Sequence, residues 1–276
     1  MRKRIILIIL VLLLSSSNAF ALLGTPMSWH KKGQWSIGFD TTHIKQDMKS
    51  TSAKWVWYGD GAFDSAGKTR IRIEDFTRDL HYANIGYGIS DKSQVYLKLG
   101  VASVEQKINP KADLSYFNIG KFSSDFDDSF ALGAGVKYTY FRKEVLVLGA
   151  NVQMNWLGTS WDKTRSNGTE TWEEEIDIEG LEFIASAGFT FGLGSITVHG
   201  GPFLYYFSGN ADATHKTLAT TGTFWSGKSS WDIESNNCLG GFFGLDFKLK
   251  KNVGATIEYM GTQEGHGIGA GIEIYF

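Results

Sequence analysis

Residues 146–156 read LVLGANVQMNW, and apolar side chains alternate along them with small or polar ones. Every second residue from Leu146 to Trp156 is apolar, and the opposite face ends in the amides Asn151, Gln153 and Asn155. A period of two residues indicates a β-strand with one apolar face and one polar face. After Trp35, no part of the chain keeps a 3.6-residue apolar period long enough to predict a helix.

The same alternation recurs along the rest of the chain. We count ten segments, approximately 35–48, 78–90, 94–107, 127–141, 145–158, 176–191, 194–208, 233–249, 253–262 and 265–276. Their connections alternate between tight turns, at 91–93, 142–144, 192–193 and 250–252, and long loops, at 49–77, 108–126, 159–175 and 209–232. The last connection of the long set, near Gln263, is short. An even number of strands, with short turns on one rim and long loops on the other, is typical of a bacterial outer-membrane barrel with periplasmic termini.

The composition excludes several other classes of protein. The chain has 276 residues, 33 glycines, 3 prolines and a single cysteine, Cys238. One cysteine can form neither an internal disulfide nor a cysteine-based zinc site, and we expect Cys238 to be a buried small residue. The formal net charge of -2 gives no indication of a nucleic-acid partner. We predict no cofactor and no metal site.

The N-terminus has the three-part layout of a secretory signal peptide. Arg2, Lys3 and Arg4 precede ten apolar residues, and small residues at Ala19 and Ala21 suit a signal peptidase. Ten apolar residues are too few for a membrane-spanning helix, which needs about 20. We therefore predict a signal peptide over 1–21, a short periplasmic lead-in over 22–34, and one barrel domain over 35–276.

The position of the charges distinguishes a membrane barrel from a soluble one. A soluble barrel turns its apolar side chains inward, whereas a membrane barrel turns them toward lipid. The charged residues of the strand centres all lie opposite the apolar rows: Lys98, Lys137, Glu182, Asp246, Lys248, Glu258 and Glu273. Aromatic residues gather near the ends of the apolar rows, as expected at the two edges of a membrane. We therefore predict a transmembrane barrel with its charges in the lumen.

The C-terminus carries a family resemblance. Ile268, Ala270, Ile272, Ile274 and the final Phe276 form one apolar row. Together with the signal peptide and the ten strands, this ending resembles small outer-membrane β-barrels of the OmpA-like and opacity-protein type. The resemblance implies that Ile272, Ile274 and Phe276 are read by the outer-membrane assembly machinery, and that lipid and lipopolysaccharide surround the barrel. Eight strands are commoner than ten in that group. Eight and twelve are the alternatives to the count of ten.

We expect the lumen to be largely plugged. At about eight strands, side chains already fill a barrel, and aqueous channels appear at 16 to 18. Counting registers across the last two hairpins places Lys248 opposite Gly254, and Gly254 opposite Glu273. Because a charge in a narrow lumen needs a partner, we predict an ion pair between Lys248 and Glu273 with a structural role.

Catalytic residues are not evident. Asp127 and Asp128 form a pair like one in the ten-stranded omptin proteases, and His43, His81 and His266 could lie near the same rim. The sequence has no Asp-His dipeptide, however, so an omptin-like or lipid-modifying enzyme is the weakest of three hypotheses. His199 should face the lumen opposite Ser186. Acidic loop residues could bind calcium but more simply form a solvated surface.

Tryptophans are frequent in the predicted loops. Candidates for contact with a surface ligand are Trp55, Trp57, Trp161, Trp172, Trp225 and Trp231, although these side chains could equally pack the loops against one another. We expect a non-enzymatic outer-membrane protein that serves surface interaction or envelope integrity. The main alternative is a narrow, porin-like pore for small solutes or ions.

Overall fold

A computed structural model describes most of the chain after the signal peptide. The described residues are 24–49, 51–110, 122–125, 128–166, 168–219, 222, 224–235 and 238–276. The predicted signal peptide, Asp127 and most of the predicted 108–126 loop lie outside them. The described part includes no helix long and apolar enough to cross a membrane.

The described chain contains thirteen antiparallel strands. Their bounds are β1 Trp35–Gln46, β2 Thr51–Gly59, β3 Ala62–Ser90, β4 Ser93–Pro110, β5 Phe122–Asp125, β6 Asp128–Lys143, β7 Leu146–Ser166, β8 Glu170–Leu193, β9 Ile196–Ala219, β10 Phe224–Glu234, β11 Cys238–Lys250, β12 Val253–Thr262 and β13 Gly265–Tyr275.

Ten of these strands form a closed ring, which confirms the predicted all-β, up-and-down barrel. The ring runs in the order β1, β3, β4, β6, β7, β8, β9, β11, β12 and β13. The first and last strands close it, with pairs from Ser36 opposite Tyr275 to Gln46 opposite Gly265. Closure leaves no unpaired ring edge, which is the condition for a sheet to span lipid.

The outer face of the ring is apolar, as predicted. Leu97, Leu204 and Leu239 are 65%, 54% and 66% exposed. Exposed aromatic rings stand toward both ends of the apolar rows, among them Tyr138, Tyr140, Phe189, Phe191, Trp156, Tyr206 and Tyr259. A continuous apolar wall of this kind would be unfavourable in water and suits a lipid surface edged by amphipathic rings.

Most of the predicted long loops are strands, so that prediction was wrong. β3, β7, β8 and β9 extend far beyond the rim of the ring, and β2 and β10 add two more strands there. The turn between β2 and β3 is Asp60-Gly61, and both residues have positive φ, at 48° and 81°. An Asp-Gly pair with positive φ at both positions is the preferred two-residue hairpin turn. We call the sheet beyond the rim the extension.

The polarity of the strands inverts where they enter the extension. Within the ring, Leu181 and Phe183 of β8 are exposed while Glu182 is buried. In the extension part of the same strand, Ile176 and Ile178 are buried while Asp177 between them faces outward. The extension is therefore built like a soluble barrel, and the ring like a membrane barrel.

The hairpin of β12 and β13 is shorter than its neighbours, and other strands close the wall above it. β2 follows β1, β10 precedes β11, and the two pair with each other from Lys54 opposite Ser230 to Gly59 opposite Trp225. At the base of this pairing, the Lys49 N–H donates to the Glu234 carbonyl over 2.9 Å. We call the β2–β10 pair the arch, because it spans the short hairpin.

Candidate functional site

Apolar side chains pack together in the upper lumen. Phe76 and Phe207 are fully buried, with ring centroids 5.5 Å apart. Further buried residues surround them: Ile73, Leu80, Val104, Leu157, Ile178 and Ile233. We call this cluster the apolar seal. Interiors packed in this way have few voids larger than a water molecule.

A buried ion pair lies against the apolar seal. Nη1 of Arg78 donates to Oε2 of Glu182 over 2.7 Å, and the two side chains are 0% and 1% exposed. The Tyr205 hydroxyl donates to the same oxygen over 3.2 Å. The Arg78 guanidinium also stacks over the Phe207 ring, 4.7 Å from its centroid. Glu182 faces the lumen as predicted. Arg78 was not predicted to be a lumen residue, because it is the first residue of a predicted strand.

A belt of polar side chains continues around the inner wall. Asn155 donates to the second oxygen of Glu182 over 2.6 Å, and the Tyr96 hydroxyl donates to Asn151 over 2.9 Å. On the other side, the Lys98 ammonium lies 3.1 Å from the Asp40 carboxylate. Lys98 therefore faces the lumen as predicted. Bonded side chains of this kind hold one another in place, because breaking any one leaves a buried polar group unpaired.

His199 sits in a second buried cluster. Its Nδ1 lies 3.0 Å from Asp246 and its Nε2 lies 3.0 Å from Glu258, and the Thr256 hydroxyl donates to Asp246 over 2.7 Å. Asp246 and Glu258 face the lumen as predicted. The predicted position of His199 opposite Ser186 was wrong, since its strand neighbours are Thr190 and Gly244. Within the described residues, no group of three or more His, Cys, Asp or Glu could hold a metal ion.

The lead-in, residues 24–34, enters the lower lumen. Met27, Ser28 and His30 are almost fully buried. The Ser28 N–H donates to the Thr139 hydroxyl over 3.1 Å, and Arg142 donates to the Ser28 carbonyl over 3.2 Å. These contacts fix the lead-in to the inner wall of the barrel. Burial lowers the pKa of His30, and the Glu273 carboxylate, 3.8 Å away, opposes that shift only in part.

Two inward glycines make room for the lead-in. A Cβ on Gly88 would lie 2.1 Å from the Lys31 carbonyl oxygen and 2.8 Å from the His30 Cβ. A Cβ on Gly149 would lie 2.7 Å from the Pro26 carbonyl oxygen. Real Cβ atoms do not approach other heavy atoms so closely, so a side chain at either position requires the lead-in to move.

We expect Gly88→Val to displace the lead-in. The measurement is the rate at which a maleimide labels Ser28→Cys, in a background where Cys238 is replaced by alanine. Because Ser28 is fully buried, labelling should be slow in the parent and at least about tenfold faster with Gly88→Val. The matched control is Gly241→Val, where the nearest atom to an added Cβ is 3.9 Å away. Equal rates in the two variants would contradict the docking of the lead-in.

The predicted ion pair of Lys248 with Glu273 is not formed. Both registers are as predicted, with Lys248 opposite Gly254 and Gly254 opposite Glu273. The Glu273 carboxylate instead accepts a hydrogen bond from the Tyr275 hydroxyl over 2.9 Å and faces His30 of the lead-in. Lys248 is exposed at the rim. The lead-in, which the sequence analysis left outside the barrel, thus lies against the predicted partner of Lys248.

Below the polar belt, the lumen widens into a cavity of about 1100 Å³ that opens at the short-turn rim. We call this cavity the vestibule. Trp29 and Lys31 of the lead-in form part of its wall, and Lys98 and Lys137 line it from the strands. Lys137 therefore faces the lumen as predicted.

The rim histidines lie on the outer wall. His43 Nδ1 is 2.8 Å from the Asp79 carboxylate, and His81 Nδ1 is hydrogen-bonded to the Thr41 hydroxyl. His266 is exposed on β13 next to Lys45. The structure therefore places these histidines outside the barrel, and Asp127 lies beyond the described residues.

The candidate tryptophans belong to the extension rather than to loops. Trp161 and Trp231 are buried in its interior, which corrects their prediction as ligand contacts. The rings of Trp55, Trp57 and Trp225 cover the cross-strand glycines Gly67, Gly227 and Gly59. Trp172 is half-buried on β8. Of the six, Trp225 is the most exposed, at 40%. Most of these tryptophans therefore pack against other residues of the extension, which was the alternative to contact with a surface ligand.

Comparison with known proteins gives distant structural likenesses. No protein-family model and no curated protein sequence matches the chain. The outer-membrane protein OprG from Pseudomonas aeruginosa is 12% identical, with 90% of this chain and 97% of that chain covered and a TM-score of 0.43. The translocator domain of autotransporter NalP from Neisseria meningitidis is 12% identical, with 90% of each chain covered and a TM-score of 0.41. The outer-membrane protease OmpT from Escherichia coli is 8% identical, with 87% and 97% covered and a TM-score of 0.37. Similarity at this level carries no information about activity; the closed ring of strands is itself the evidence for the barrel.

Proposed function

We propose that this protein is a non-conducting, non-enzymatic outer-membrane barrel that holds its β-sheet extension above the membrane for surface interaction or envelope integrity. The observation that carries the proposal is the packing of the upper lumen, which the apolar seal and the Arg78–Glu182 pair fill. The lead-in narrows the lower lumen beside the open vestibule. A solute crossing the membrane would have to displace the apolar seal.

The polarity of the extension supports an exposed, watery location for it. Its outward side chains on β8 include Glu173, Glu175, Asp177 and Glu179, while its interior is apolar. A sheet with a polar outside and an apolar inside is stable in water without a partner. By the usual topology of such barrels, the extension faces the cell exterior and the short-turn rim faces the periplasm.

Planar-bilayer conductance tests the closed lumen. We expect the wild-type protein to show no discrete openings. The variant Gly88→Val should also remain silent, because it displaces the lead-in but leaves the apolar seal in place. Stable openings of the wild-type protein would overturn the proposal and favour the narrow pore instead.

Location is tested separately, by a heat-modifiability gel on outer-membrane fractions. A closed barrel that resists detergent should migrate faster before boiling than after it, and the band should be in the outer-membrane fraction. Lipid, lipopolysaccharide and the assembly machinery are the partners proposed on this basis, with Ile272, Ile274 and Phe276 as the assembly signal. A soluble periplasmic product with no heat-dependent shift would contradict the proposed location.

A further inference from the structure

The lining of the vestibule carries an excess of positive charge. Seven basic side chains line it, namely Lys31, Lys98, Lys137, Arg142, Lys248, Lys250 and Lys251, against four acidic ones, Asp40, Glu144, Asp246 and Glu273. A concave surface with low-dielectric walls concentrates the field of such charges, so the excess attracts anions more strongly than the same charges would on a flat surface.

Most of the carboxylates in the vestibule are already engaged. Asp40 forms an ion pair with the Lys98 ammonium and accepts a hydrogen bond from Asn84. Asp246 is bonded to His199 and Thr256, as described above, and Glu273 to Tyr275. Among the lysine and arginine side chains of the described wall, only Lys98 has a carboxylate at salt-bridge distance.

Lys137 faces the vestibule with no carboxylate of the described wall at salt-bridge distance, although Glu273 and Asp246 attract it from further away. It stands on β6 between Gln94 and Asn151 of the adjacent strands, whose side chains are buried on the inner wall. Its ammonium lies 5.5 Å from the centroid of the Tyr96 ring. Within the described part of the chain, it makes no ion pair or hydrogen bond. Lys137 is partly exposed to the vestibule, so its ammonium group can contact an anion that enters from the rim.

We propose that the vestibule binds a small multivalent anion, a polycarboxylate or a phosphorylated solute, with Lys137 as its principal ligand. Arg142, at the rim, supplies a planar guanidinium that can take a carboxylate or phosphate through two hydrogen bonds. The volume of about 1100 Å³ is that of a site for a drug-sized molecule. Because the lead-in forms part of the wall, a bound anion also lies against Trp29 and Lys31.

Isothermal titration calorimetry of the purified full-length protein in a zwitterionic detergent at low ionic strength tests the proposal, with pyrophosphate and citrate as the two probes. We expect saturable binding of at least one probe, weakened by added sodium chloride. Binding of pyrophosphate alone identifies a phosphorylated ligand, citrate alone a polycarboxylate, and both a site for multivalent anions in general. If neither probe binds, the proposal is wrong.

Variants locate the binding. Lys137→Met should lower the affinity at least about tenfold, whereas Lys137→Arg, which keeps the charge, should retain most of it. The matched control is Lys228→Met, which removes an exposed lysine of the extension. Heat-modifiability shows that each variant is folded. Equal affinities of Lys137→Met and Lys228→Met would overturn the site, and neither result depends on whether the lumen conducts.

Discussion

Replacing Arg78 with methionine is expected to lower the free energy of unfolding by about 3–5 kcal/mol. The substitution removes the partner of Glu182, whose carboxylate then remains in the apolar interior with hydrogen bonds from Asn155 and Tyr205 only. It also removes the guanidinium from the face of Phe207. An unpaired buried charge costs far more than the original pair contributed. Urea titration of the folded barrel in detergent, followed by tryptophan fluorescence, measures the loss.

Two further variants test the reason for that loss. The double variant Arg78→Met and Glu182→Gln should recover much of the stability, because no buried charge is left without a partner. The matched control is Lys216→Met, which breaks an exposed pair with Glu173 at 3.8 Å, where both side chains are more than half exposed. An exposed pair contributes about 1 kcal/mol or less. A loss at Arg78 no larger than that at Lys216 would contradict the assignment of a buried ion pair.

The second large effect is expected from the apolar seal. Phe76→Ala and Phe207→Ala should each cost about 3–5 kcal/mol, because each truncation leaves a cavity that the ring strands cannot close. The double variant should show openings, since the vestibule below the apolar seal already opens at the short-turn rim. Adding Gly88→Val, which displaces the lead-in, should increase their conductance. The measurement is again planar-bilayer conductance of protein that passes the heat-modifiability test.

The control for this series lies on the same strand. Leu204→Ala shortens a lipid-facing side chain of β9 that is 54% exposed, so it should cost much less than Phe207→Ala and should not open the lumen. A Phe76→Ala and Phe207→Ala double variant that is folded and shows no openings would contradict the apolar seal as the closure of the lumen.

The sequence predicted the ring far better than the extension, and β8 shows why. From Leu181 to Leu193, the outward residues of β8 are apolar, as in a membrane strand. Between Glu175 and Glu179, the period of two continues, but the apolar residues face inward and the acidic ones outward. A segment predicted from its apolar outer face therefore ends near the point where that polarity inverts. The predicted 159–175 loop is therefore strand for most of its length, as are the described parts of 49–77 and 209–232.

The contents of the lumen were predicted only where they depend on the strands alone. Glu182, Lys98 and Lys137 face inward because alternation dictates it. The ion pair of Lys248 failed because its predicted partner, Glu273, faces His30 of the lead-in. Residues 24–34 have no apolar period, so nothing in their sequence indicates that they return into the barrel. The glycines that make room for them, Gly88 and Gly149, lie on inward rows of the strands. Other inward glycines only leave space for larger side chains of neighbouring strands, so the sequence does not distinguish the two kinds.

The arch bears on how this barrel is put together. The junction of β1 with β13 joins the two ends of the chain, and it is where such a ring would ordinarily separate first. Here β2 continues from β1 over the short hairpin and pairs with β10, so parting β1 from β13 leaves β1 still held to the far side of the gap. Full opening of the ring at this junction therefore requires the β2–β10 pairs to separate as well as the β1–β13 pairs.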